Sequence, residues 1–67
     1  MEGNMIICTS TAANDIERFS DIEELAADLH RTADPRYAEA VLVPLRRGEL
    51  TVTVANGPAE DTYTVEP

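Results

Sequence analysis

Four carboxylates, Glu17, Asp21, Glu24 and Asp28, recur at i, i+4, i+7 and i+11. On a helix that begins early enough they share one stripe, with neighbours ~5–6 Å apart. Duplex DNA also carries closely spaced negative charge along its axis, so such a stripe imitates part of a phosphate row. A plainer account competes with this one. Asp21, Glu23 and Glu24 fall in a first helical turn, where the helix dipole favours acids by ~0.3–1 kcal/mol each, and Arg31 is placed to pair with Asp28. The excess is not confined to that helix start. Asp34, Glu39, Glu49, Glu60, Asp61 and Glu66 continue it along the chain. The residues expected to meet a partner are Glu17, Asp21, Glu24 and Asp28, with Glu49, Glu60 and Asp61 from the later turns.

Other chemistry is sparse. A hydrolase triad needs a nucleophile, a base and an orienting group that converge. The single histidine, His30, falls at the end of the expected first helix, where the dipole favours a cation. The single cysteine, Cys8, alternates with apolar neighbours as a small core residue does. One cysteine allows no internal disulfide, and Cys8 with His30 falls short of a structural zinc set. Neither a phosphate-binding glycine loop nor an EF-hand spacing is present. The expectation is a protein that is not an enzyme and takes no cofactor or metal.

The elements that must position the acids follow from periodicity. Met5–Thr9 is β-prone, and Thr11–Asp15 is small and polar, as in a loop. Ser20-Asp21-Ile22-Glu23 matches a capping box, and Phe19 before it suits a hydrophobic staple. Ile22, Leu25, Ala26 and Leu29 then form one apolar stripe, predicting a helix over 21–31. Asn14-Asp15-Ile16-Glu17 is a weaker second cap that would allow a helical turn before Phe19. Asp34-Pro35 predicts a short helix over 35–40. Val41, Val43 and Leu45 alternate, as do Leu50, Val52 and Val54 beyond Arg46-Arg47-Gly48. Two such runs read as a hairpin whose first strand, with Pro44 unable to donate, lies at an edge. The alternative continues the helix to Arg47, with Gly48 as its C′ residue and Ala38, Val41, Leu42 and Leu45 as its apolar face. The hairpin is favoured because proline in a helix interior costs ~3 kcal/mol. Asn56-Gly57-Pro58 is a turn, and Thr62–Val65 a last strand pairing back on Leu50–Val54. The expected architecture is α+β. A main helix (21–31) and a short one (35–40) pack on a three- to four-stranded antiparallel sheet, in one acidic domain spanning 1–67.

The chain of 67 residues carries thirteen acids, five arginines and no lysine, a formal charge of −8. This balance repels nucleic acid and acidic membranes and favours basic surfaces, including those that normally hold nucleic acid. Solubility, or a salt-loving host, is the bland explanation of the same charge. No apolar run approaches the ~20 residues of a membrane span, and no secretory signal is evident. A cytoplasmic setting is expected.

In size, in acid excess along a short helix and in α+β outline, the chain resembles the small anti-CRISPR proteins of phages and mobile elements. The resemblance spans the whole chain in size and charge but rests on no motif, so no residue role is carried over. Inhibitors of type I systems are the closest group, type I-C first among them. The resemblance implies a partner: a basic DNA-binding channel on the surveillance complex, Cascade, in the bacterial cytoplasm. No direct contact with nucleic acid or membrane is implied, and the chain would be a monomer or weak homodimer. The rival function is an acidic accessory protein, antitoxin-like or an enzyme subunit. It would pair through the Val41–Leu45 edge strand, with charge serving solubility.

Overall fold

A computed structural model describes residues 5–66, with Asn14 described by its backbone only. Six elements follow in order: β1 (Met5–Ser10), β2 (Ala13–Phe19), α1 (Ile22–Thr32), α2 (Pro35–Arg46), β3 (Thr51–Asn56) and β4 (Ala59–Glu66). The strands form one antiparallel sheet in the order β2-β1-β4-β3. Two hairpins, one from each side of the helix pair, meet where β1 pairs with β4, and Cys8 faces Tyr63 there. The architecture is α+β, with two helices on a four-stranded sheet.

Alternation sorts each strand into a covered and an open face. Ile6 and Cys8 of β1, Phe19 of β2, Val52 of β3 and Tyr63 of β4 are buried with Leu25, Ala26 and Leu29 of α1. Ala38, Val41, Leu42 and Leu45 of α2 complete this core. The opposite sheet face carries Thr9, Thr51, Thr53 and Thr64, all exposed.

The first helix starts one residue later than its capping box suggests. Asp21 is the N-cap: its carboxylate accepts the Glu24 N–H at 2.9 Å. The Glu24 carboxylate accepts the Ser20 backbone N–H at 2.6 Å and the Ser20 hydroxyl at 3.1 Å. The aspartate wins because Asp21-Ile22-Glu23-Glu24 repeats the box pattern one step along.

The segment from 41 to 47 is not a strand, and the hairpin expected there does not form. Helix α2 runs through it to Arg46, with Pro44 inside. Burying Val41, Leu42 and Leu45 yields ~1.5–3 kcal/mol each, which exceeds the ~3 kcal/mol cost of the proline. Pro44 also sits in the last turn, where it interrupts little helix. Gly48 then ends the helix, as the C′ residue of the alternative reading, rather than turning a hairpin. Its φ is +101°, its N–H donates to the Leu45 carbonyl at 3.1 Å, and the Glu49 N–H donates to the Pro44 carbonyl at 3.2 Å. This pair of bonds is a Schellman motif. The edge strand over Val41–Leu45 invoked for an accessory protein is therefore absent.

Residues 13–19 are neither loop nor helix but β2. Pairing with β1 decides it: Phe19 opposes Ile6 and Glu17 opposes Cys8. The register slips between Thr9, opposite Ile16, and Ser10, opposite Ala13. The last strand pairs with β3 as expected, Thr51 opposite Thr64, and is also central to the sheet. Gly57, with φ +63°, and Pro58 make the two-residue loop between them. Positive φ at the first loop position is the requirement of a type II′ turn.

Candidate functional site

At one end of the covered face the core turns polar. The register sets Ser10 of β1 beside Asp61 of β4 and Asp61 beside Val54 of β3. Asp61 is only 7% exposed. The Tyr37 hydroxyl, from α2, donates to Asp61 Oδ2 at 2.5 Å, and Asn56 Nδ2 donates to the same oxygen at 3.0 Å. The Tyr63 hydroxyl lies 2.7 Å from that of Tyr37. Because Tyr37 gives its proton to the carboxylate, Tyr63 is the donor in this pair.

Burial alone would raise the pKa of Asp61, but hydrogen bonds from Tyr37, Ser10 and Asn56 hold it below the ordinary value. Burial, then the bond to Asp61, pushes Tyr37 well up. Burial and the bond to Tyr37 do the same for Tyr63. Burial also raises Cys8, next to Tyr63, and a thiol so placed is a poor nucleophile. His30 is exposed in the last turn of α1. Among the described residues no three His, Cys, Asp or Glu side chains are grouped to hold a metal.

Above the two tyrosines opens a cavity of about 370 Å³, lined by Glu17, Asp28, Thr32, Asp34, Tyr37 and Tyr63 among others. Three carboxylates from three different segments therefore share one rim. Glu17 reaches it from β2, not from an extension of α1, so the four-acid helical stripe does not form. Asp28 is half-buried and paired with Arg31 at 2.7 Å. Asp34 accepts the Arg36 N–H at 2.8 Å as the N-cap of α2. Glu23, exposed in the first turn of α1, does not line the cavity and lies 3.9 Å from Arg46 of α2.

The remaining expected partner residues divide. Asp21 and Glu24 are tied into the cap of α1. Glu49, in the loop after α2, and Glu60, on β4, are exposed and do not line the cavity. Asp61 is not available to a partner, because it is buried and bonded within the fold. Sequence reasoning missed the Tyr37–Asp61–Tyr63 network. Its signal was parity: Asp61 and Tyr63 are two apart on one strand and so share a face.

No protein-family model, curated protein sequence or solved structure matches this chain. Among the described residues, no helix is long and apolar enough to cross a membrane.

Proposed function

We propose that the protein is a non-enzymatic inhibitor that occupies a basic nucleic-acid-binding surface in place of DNA. The observation that carries this reading is the meeting of Glu17, Asp28 and Asp34 around one cavity, on a chain of charge −8. An arginine or lysine side chain of a partner would find carboxylates on the rim and tyrosine rings at the floor, a favourable pairing for a cation. Exposed Glu24, one turn before Asp28, extends the acidic face along α1. Charge of this kind steers encounter more than it adds affinity.

The partner we propose is the type I CRISPR surveillance complex, on the class-level resemblance to anti-CRISPR proteins. Competition with target DNA for its basic channel would be the mechanism. The test is a titration against purified Cascade at low and high NaCl, with and without target DNA. Binding that weakens with salt and is displaced by DNA supports the reading. Affinity indifferent to both overturns it.

A further inference from the structure

Among the described residues, strand β3 is flanked by β4 on one side and by no strand on the other. The Val65 N–H donates to the Leu50 carbonyl at 2.8 Å. By antiparallel alternation Val52, Val54 and Asn56 also turn their backbone groups to β4, and Thr51, Thr53 and Ala55 turn theirs to the open side. All three outward residues are exposed. An unpaired row of N–H and C=O groups is a template for another strand unless charge, proline or a bulge blunts it.

The two edges of this sheet differ in that respect. Edge strand β2 carries Asp15, Glu17 and Arg18, and its register slips. Pairing β2 with itself about Ile16 would set Asp15 against the Glu17 of a second copy. Edge strand β3, Thr-Val-Thr-Val-Ala-Asn, has no charge, no proline and an even register with β4. From this contrast we infer that β3 is a self-association edge, through which two copies join antiparallel about Thr53 into one eight-stranded sheet.

That register uses every outward group. Thr53 meets its own symmetry mate, and Thr51 meets Ala55 of the second copy. Glu49 falls opposite Gly57, so no charge faces a charge. Leu50, 64% exposed on the same face as Val52 and Val54, gains cover from the added strand. The distribution of charge permits the approach. Helix α2, which packs on β3, carries Arg36 and Arg46 against Glu39. Helix α1, with Glu23, Glu24 and Asp28, packs on β1 and β2. The acidic helices thus lie at the two outer ends of the joined sheet.

This inference goes beyond the inhibitor reading and does not depend on it. The test is sedimentation of the full chain over a wide concentration range at low and high NaCl. Mass should rise from one to two copies with concentration. High salt should favour the dimer, because it screens repulsion between two copies of −8. That response is opposite in sign to the one expected for binding a basic partner. Thr53→Pro removes the outward N–H of both copies without touching the β4 ladder. It should raise the half-association concentration roughly tenfold, from two lost hydrogen bonds. Thr53→Lys, which sets like charges opposite each other, should act the same way, with circular dichroism verifying the fold of both variants. Ile16→Lys on β2 should leave association unchanged. A wild-type chain that is monomeric at every concentration and salt overturns the inference. So does a dimer that Thr53→Lys leaves intact.

Discussion

The Tyr37 hydroxyl on α2 donates to the Asp61 carboxylate on β4 at 2.5 Å. This bond joins helix layer to sheet at the end where the apolar core stops. Tyr63, 4% exposed, backs it with its own hydroxyl and packs edge-on against Tyr37, ring centroids 6.5 Å apart. Removing the Tyr37 hydroxyl leaves a buried carboxylate with one donor fewer, and a hydrogen bond to a charged group is worth about 1.5–3 kcal/mol. Tyr37→Phe should therefore lower stability by about that amount in urea unfolding. An unchanged midpoint would show that water replaces the phenol without loss.

The same network sets the pH limits of the fold. Asp61 is held below its ordinary pKa in the folded state. Its contribution is present above the unfolded value of ~3.9 and is lost as pH falls through the lower folded value. Tyr37 and Tyr63 are raised. Their contribution is present below the unfolded value of ~10 and is lost as pH rises toward the folded values. Melting temperature should therefore hold between these limits and fall outside both. Tyr37→Phe should flatten the alkaline limb, because it removes one of the two raised phenols. An alkaline limb identical to wild type would separate the tyrosines from it.

Pro44 tests the balance that extends α2. Alanine there restores an N–H to the last turn, and the surrounding burial of Val41, Leu42 and Leu45 stays. Pro44→Ala should raise stability, by up to ~3 kcal/mol, read as a shift in denaturation midpoint. A loss of stability would mean that the half-buried ring contributes more by packing than it costs in hydrogen bonding.

That proline also explains what the sequence left open. Val41 and Leu45 fit period two with Val43, and they fit the helical period with Ala38 and Leu42. Only the tertiary outcome separates these readings: Ala38, Val41, Leu42 and Leu45 are buried while Val43 is 43% exposed. Helix α1 was legible because its stripe and cap agree. Strand β2 was not, because Ala13-Asn14-Asp15 has turn composition and the strand exists through its pairing with β1. The site suffers from the same gap. Asp28 was visible as a helical acid, but its neighbour Glu17 arrives from across the hairpin. Asp61 counts as surface charge until the parity of β4 places it beside Tyr63.

The division among the acids yields the last prediction. Asp21 and Glu24 hold the start of α1, and loss of an N-cap costs about 0.5–2 kcal/mol. Asp21→Ala should therefore lower the melting temperature whatever the partner. Glu17, Glu23 and Asp28 carry no cap. Glu23 is a long 3.9 Å from Arg46, and the Asp28–Arg31 pair is a surface contact of the kind worth ~0–1 kcal/mol. Glu17→Lys, Glu23→Lys and Asp28→Lys combined should leave the circular dichroism spectrum unchanged and melting within a few degrees of wild type. The triple variant exchanges three negative charges for three positive ones, at Glu17 and Asp28 on the cavity rim and at Glu23 in the first turn of α1. If the rim binds, affinity for Cascade should collapse and its salt dependence should flatten, because fewer ion pairs remain to be screened. The same threefold reversal placed away from the cavity, at exposed Glu49, Glu60 and Glu66, changes net charge equally without touching the rim. It should cost far less. Equal losses from the two variants would make net charge the agent rather than the rim, and a folded triple variant that binds as wild type does would remove Glu17, Glu23 and Asp28 from the interface.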